Sequence, residues 1–270
     1  MTRTPLSYIL IGATFISFSG IWVVWAALDP TVSAFYRVLF GTLFLFLGCL
    51  WKKEFYTINF SSSVLFIVCG LSFAADLVCW HAAISHIGPG LATIIGNFQV
   101  FILSFISIVF MGERISTRFI VSVPLAVSGL FLVVGFNWNS LPENYTKGIL
   151  LSLLTALFYS IFILTMRRLQ ENQPQVSLFF NLMIVSFITS LLLVPAILLS
   201  GASFAVPALS SLGALVGLAL FSQTIGWVLI VNSLPRVKAS IAGLLLLLQP
   251  ALSFVWDVLI FNRYTTLLNW

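Results

Sequence analysis

Asp29-Pro-Thr-Val-Ser-Ala-Phe-Tyr-Arg37 opens an apolar run that continues, with Arg37 as its single charge, to Trp51 and stops at Lys52-Lys53. A helix rises about 1.5 Å per residue and a bilayer core is about 30 Å thick, so the stretch from Val32 to Trp51 is long enough to cross one. Asp29-Pro30 marks the joint before it, helix-ending chemistry that recurs at Gly88-Pro89-Gly90, Gln173-Pro174 and Leu234-Pro235. The same pattern returns as Gln173-Pro-Gln-Val-Ser-Leu-Phe-Phe-Asn181, 144 positions on, with Pro, Val, Ser and Phe in register.

Working outward, nine runs of this kind fall between polar breaks: Leu6 to Leu28, Val32 to Trp51, Ser62 to Ile84, Gly90 to Met111, Arg118 to Gly135, Gly148 to Met166, Val176 to Leu199, Leu209 to Leu234 and Ala239 to Phe261. A spanning segment must satisfy its own backbone, and the runs are too long for barrel strands, so an all-α membrane protein is predicted. Composition agrees: of 270 residues 60% are hydrophobic and 7% charged, where a soluble domain carries about a quarter charged. The 12 basic residues are dispersed, which disfavours a nucleic-acid surface. Cys49, Cys69 and Cys79 lie in apolar runs without metal-ligand spacing and read as buried filler, so neither a metal nor another cofactor is expected.

With the N-terminus in the cytoplasm, Arg3, Lys52, Lys53, Arg114, Arg118, Arg167, Arg168, Arg236 and Lys238 fall inside, while Lys147 and Arg263 fall outside. The excess of basic residues on the inner side fixes this orientation in the cell (inner) membrane. Near the end of each half, Leu91-Ala92 matches Ile241-Ala242 and Gln99 matches Gln249, at an offset of 150. Five helices separate the copies, so the second is inverted relative to the first, giving one unit over 1–136 and another over 145–270. Inverted repeats with a site at mid-membrane are the usual build of secondary transporters. By the same offset the fifth helix should have a counterpart starting near position 268. The expectation is a ten-helix plan with nine helices present and the tenth missing.

Several segments resemble the EamA-type ten-helix branch of the drug/metabolite transporter superfamily: Pro30-Thr-Val-Ser-Ala-Phe-Tyr-Arg37, Ala75-Asp76-Leu-Val-Cys-Trp80-His81, Gly90-Leu-Ala-Thr-Ile-Ile-Gly-Asn-Phe-Gln99-Val with Gly112-Glu113-Arg114, and Gln249-Pro250 followed by Asp257. Gly20 departs from the pattern, since many relatives carry proline there. The resemblance covers essentially the whole chain. It implies a cytoplasmic-membrane carrier, commonly an exporter, of small organic solutes such as amino acids, metabolites or drugs.

Ionisable groups inside a membrane are costly and mark function or pairing. By the helical rise, Arg37 lies roughly 9 Å, Asp76 roughly 12 Å and Asp257 roughly 6 Å inward from the outer surface. Arg37 can pair with either aspartate, and Asp76, the deepest carboxylate, is the candidate for coupling transport to protons. Asp76 and Trp80 share a helix face, with His81 adjacent. Near mid-membrane lie Asn97, Gln99, Gln223 and Gln249, of which Gln99 and Gln249 occupy matching places in the two repeats. Tyr159 and Trp227 supply candidate aromatic walls, with Trp22 beside them, and Ser19, Ser160 and Ser222 are weaker polar candidates. Alternatives to a carrier are a non-transporting membrane subunit or receptor and, further off, an intramembrane enzyme using His81, Asp76 and Arg37. No nucleophile with an adjacent base is visible for the enzyme.

Overall fold

A computed structural model describes residues 3–56, 60–111, 121, 125 and 143–264. Every regular element among those residues is a helix, with no strand among them. Eight stretches are long and apolar enough to span a membrane: Pro5–Ala26, Pro30–Lys52, Ser62–Ile87, Pro89–Ile106, Asn144–Asn172, Leu178–Ser200, Leu209–Arg236 and Ile241–Phe261. They coincide with eight of the nine runs read from the sequence. The ninth, Arg118 to Gly135, lies outside the described residues, as does the chain beyond Tyr264 where a tenth helix would begin.

The helices are α1 (Arg3–Ser17), α2 (Ser19–Ala26), α3 (Pro30–Lys52), α4 (Phe60–Ile87), α5 (Pro89–Gly96), α6 (Gln99–Met111), α7 (Glu143–Asn172), α8 (Leu178–Ser200), α9 (Leu209–Gly217), α10 (Trp227–Ser233), α11 (Ala239–Leu246) and α12 (Leu248–Phe261). Local chemistry sets their ends. Asp29 Oδ1 accepts from the N–H groups of Thr31 and Val32 at 2.9 and 3.4 Å, with Pro30 in the first turn. Ser177 caps α8 in the same way, its Oγ accepting from the Phe179 N–H at 3.2 Å.

Four of the spans are irregular near mid-length. α1 gives way to α2 at Phe18, α5 to α6 at Asn97 and Phe98, and α11 to α12 at Leu247, while a π-helical segment, Leu218–Gly226, joins α9 to α10. The breaks at Asn97 and Leu247 are 150 positions apart, the offset that relates Gln99 to Gln249. Unsatisfied backbone in the hydrocarbon region is tolerated only against protein or a cavity, so these breaks point inward.

The polarity of the helices is the reverse of a soluble bundle's. On α7, Leu150, Leu153, Leu154 and Leu157 are exposed and form the lipid face, while Ser152, Thr155, Tyr159 and Ser160 are buried on the opposite side. α3 follows suit, with Leu43, Leu47 and Leu50 exposed and Ser33, Arg37 and Gly41 turned inward. With lipid as apolar as the core, association depends on close packing and polar contacts. Gly12 of α1 and Gly226 bring their backbones together so tightly that a Cβ on Gly12 would stand 2.7 Å from the Gly226 carbonyl oxygen. The three cysteines are free and buried.

A central polar cavity as candidate functional site

The interrupted spans converge on one cavity with about 470 Å³ of space free of protein atoms, its open side included. Ile16 and Ser19 reach it from either side of the Phe18 break, Arg37 from α3, and Phe73, Asp76, Leu77 and Trp80 from one face of α4. Thr93, Gly96 and Asn97 come from the α5 break, Thr155 and Tyr159 from α7, Trp227 from the start of α10, and Gln249 from just after the α11 break.

Part of the wall is locked by hydrogen bonds. Trp80 Nε1–H donates to Thr93 Oγ1 at 3.2 Å, and that hydroxyl donates to the Pro89 carbonyl at 2.7 Å. Asn97 Nδ2 donates to the Thr93 carbonyl at 2.9 Å, and its Oδ1 accepts from Gln99 Nε2 at 3.2 Å. Arg37 lies 5.6 Å from the centroid of the Trp80 ring and donates from Nε to Gln223 Oε1 at 3.2 Å; Gln223 Nε2 donates onward to Ser186 Oγ at 3.0 Å.

Other wall atoms are left without partners. Ser19 Oγ, Thr155 Oγ1 and Trp227 Nε1 are buried, line the cavity and make no hydrogen bond. The Tyr159 hydroxyl lies within hydrogen-bonding reach of the Gln249 and Gln99 side chains. Each unpartnered group forfeits about 1–3 kcal/mol of hydration unless something enters to restore a bond.

Below this space sits an aromatic floor. Phe73 stacks on Phe162 with centroids 4.3 Å apart, and Trp227 meets Phe162 and Tyr159 edge-on at 4.8 and 5.7 Å. Phe73 and Phe162 lie one turn beyond Asp76 and Tyr159, toward the end of the molecule that holds Lys53 and Arg236. At the opposite end Asp257 Oδ2 accepts from Arg263 Nη1 at 2.9 Å and from the Gly90 N–H at 3.2 Å, while Arg263 also donates to the Ile87 carbonyl at 3.2 Å. That cluster ties the last span to the turn between α4 and α5.

Of the residues singled out in the sequence, Arg37, Asp76, Trp80, Asn97, Tyr159, Trp227 and Gln249 are brought together at the cavity. Four others sit elsewhere. Gln99 is fully buried behind Asn97, and Gln223 stands behind Arg37 as its holder. His81 is buried outside the cavity lining with neither ring nitrogen bonded, its ring 5.2 Å from that of Trp80. Asp257 belongs to the peripheral ion pair with Arg263 and has no contact with Arg37. Nor do Arg37 and Asp76 form an ion pair; only Arg167–Glu171 and Arg263–Asp257 do so among the described residues. Phe73, Thr93 and Thr155 were not singled out. Thr155 lies four before Tyr159 and Thr93 four before Asn97, so helical spacing from the chosen residues points to both. No group of three or more His, Cys, Asp or Glu that could hold a metal occurs among the described residues.

The chain matches curated relatives described as the pseudopaline exporter CntI of Pseudomonas aeruginosa, from strains UCBPP-PA14 and PAO1. Each is 26% identical over 220 residues, covering 81% of this chain and 73% of the relative. A solved crystal structure superposes with a TM-score of 0.77 over 100% of this chain and 92% of its own, at 14% identity, which speaks for the fold alone. The model of the EamA-like transporter family matches residues 3–135 and again 146–270. With both stretches matched and a multi-pass helical bundle enclosing a polar cavity, the chain belongs to the EamA-like transporter family, membrane transporters of small molecules.

Proposed function

We propose that this chain is a secondary transporter that exports a small organic solute across the cytoplasmic membrane by alternating access around the central cavity. The observation that carries this reading is one space at the helix breaks, lined by Arg37 and Asp76 together with the unpartnered polar atoms of Ser19, Thr155 and Trp227. The substrate site on this reading comprises Trp80, Asn97, Tyr159, Trp227 and Gln249, with Arg37 and Asp76 as its charged members and Gln99 and Gln223 supporting them from behind. Asp76 is also the group on which coupling to protons would fall.

The two-repeat plan, 1–136 and 145–270, is supported by the family model matching the chain in two stretches and by helix breaks 150 positions apart in corresponding spans. An inverted relation would follow from the five spans that separate the matching segments of the two units. The direction of transport leans on the exporter relatives, and the cytoplasmic N-terminus on the excess of basic residues at one end. In this orientation the aromatic floor faces the cytoplasm and the Asp257–Arg263 cluster faces outward.

The test is flux in proteoliposomes containing the purified full-length protein. Labelled solute preloaded on one side should exchange against unlabelled solute on the other, and Tyr159→Phe with Gln249→Leu should abolish exchange while the protein still inserts and folds. Exchange at the wild-type rate in that double variant removes the cavity from the function. Labelling of single cysteines placed beside Lys53 and beside Lys147, from each side of the membrane, checks the orientation.

A further inference from the structure

The cavity holds two side chains of opposite charge whose charged ends are unbound. Arg37, 4% exposed, spends Nε on Gln223, and its Nη groups make no hydrogen bond among the described residues. Asp76, 6% exposed, accepts no hydrogen bond and joins no ion pair, although each lies within electrostatic reach of the other. Both line the same space.

Their positions are fixed by different helices. Gln223, itself held by Ser186, grips the Nε side of the guanidinium, and the Trp80 ring lies against it at 5.6 Å. What remains free is the planar Nη end, a fork that matches a carboxylate through two parallel hydrogen bonds. Asp76 stands on α4, one turn from Trp80, and as an acceptor-only group it matches an ammonium. A solute with only one of these charges would leave the other side chain uncompensated in a poorly hydrated space, which discriminates strongly against it. The rest of the wall is neutral, with Thr155 and Trp227 offering unpaired polar atoms, Tyr159 and Gln249 further polar groups, and Phe73 an apolar face.

We infer that the cargo is a small zwitterion whose carboxylate is taken by Arg37 and whose ammonium is taken by Asp76, with its apolar part against Phe73, Trp80 and Trp227. The inference rests on the carrier reading above and assigns that site its substrate class.

The test uses the full-length protein and two sets of probes: L-phenylalanine and L-leucine, their methyl esters, which lack the carboxylate, and 3-phenylpropionate and 4-methylpentanoate, which lack the ammonium. Binding is followed by quenching of tryptophan fluorescence. In the wild type at least one amino acid binds about tenfold or more tighter than either of its analogues. Arg37→Gln closes the gap between amino acid and ester but keeps the gap to the desamino acid, and Asp76→Asn does the reverse. A merely structural role would weaken all three probes alike. Equal binding of zwitterion and singly charged analogue, or uniform loss in both variants, overturns the assignment. Flux in vesicles separates the two readings. Transport of singly charged solutes with no preference for the zwitterion overturns this inference and leaves the carrier standing, whereas discriminating binding without any flux overturns the carrier and leaves the assignment.

Discussion

Asp257 and Asp76 are equally buried, 4% and 6% exposed, but their surroundings differ in kind. Asp257 has the Arg263 guanidinium at 2.9 Å and the Gly90 N–H at 3.2 Å; Asp76 has neither cation contact nor donor. Ionised groups at the centre of a spanning helix cost about 2.5–3.5 kcal/mol even by the mildest scale. The first carboxylate offsets that cost within the protein, and the second has no partner among the described residues that does so. It is their partners, not their burial, that separate the two acids.

The largest effect on stability should come from Arg263→Ala, which strands Asp257 with one backbone donor. Breaking a buried pair costs about 3–5 kcal/mol, lowered here to about 2–3 kcal/mol because Arg263 is partly exposed. Thermal unfolding in detergent measures it, and adding Asp257→Asn should restore part of the loss. No loss in Arg263→Ala would erase the contrast between the two acids. Next comes Gly90→Ala, whose Cβ would meet Asp257 Oδ2 at 2.8 Å and Phe254 Cα at 3.1 Å, wedging α5 from α12. Overpacking of this kind costs about 1–3 kcal/mol, read in the same unfolding experiment.

Gln223→Ala is smaller, about 1.5 kcal/mol for a lost hydrogen bond to a charged group. Freed to swing, Arg37 should bind cargo less well, so KM rises more than kcat falls. A pure kcat effect would place Gln223 in the moving parts and not behind Arg37. Asp76→Asn should change stability least, by under about 1 kcal/mol, since it breaks no contact. Transport should nevertheless drop about tenfold or more, equivalent to about 1.4 kcal/mol. If Asp76 also carries the coupling proton, the residual flux becomes insensitive to pH; undiminished flux with the wild-type pH profile removes Asp76 from both roles.

The spans were legible because length and hydropathy are properties of single segments. Asp29-Pro30 marked a joint between spans, though not the cap that the Asp29 side chain makes, and the recurrence at Gln173-Pro174 pointed to a repeated unit. The breaks were harder to see. Phe18 and Leu247 carry no proline or glycine, and Gly96 and Pro250 only flank the sites where α5 and α11 end, so the interruptions depend on tertiary packing around the cavity. The same holds for the π-helical turn that presents Gln223 to Arg37. Asp257's partner was hidden because Arg263 counted only as a loop charge, and no periodicity reports that the chain folds back to meet α5. Phe73 escaped notice for another reason: on an apolar helix, one aromatic looks like any other until Phe162 is found stacked on it.

Gly12 lies in the first stretch that matches the family model and Gly226 in the second, yet their backbones touch with no room for a methyl group between them. On the proposed carrier reading, α1 and the Leu218–Gly226 segment travel as one plank, so the moving bodies and the two stretches matched by the family model are different partitions of the molecule. A cystine staple across the plank should then leave turnover untouched, and lost turnover would part the two again.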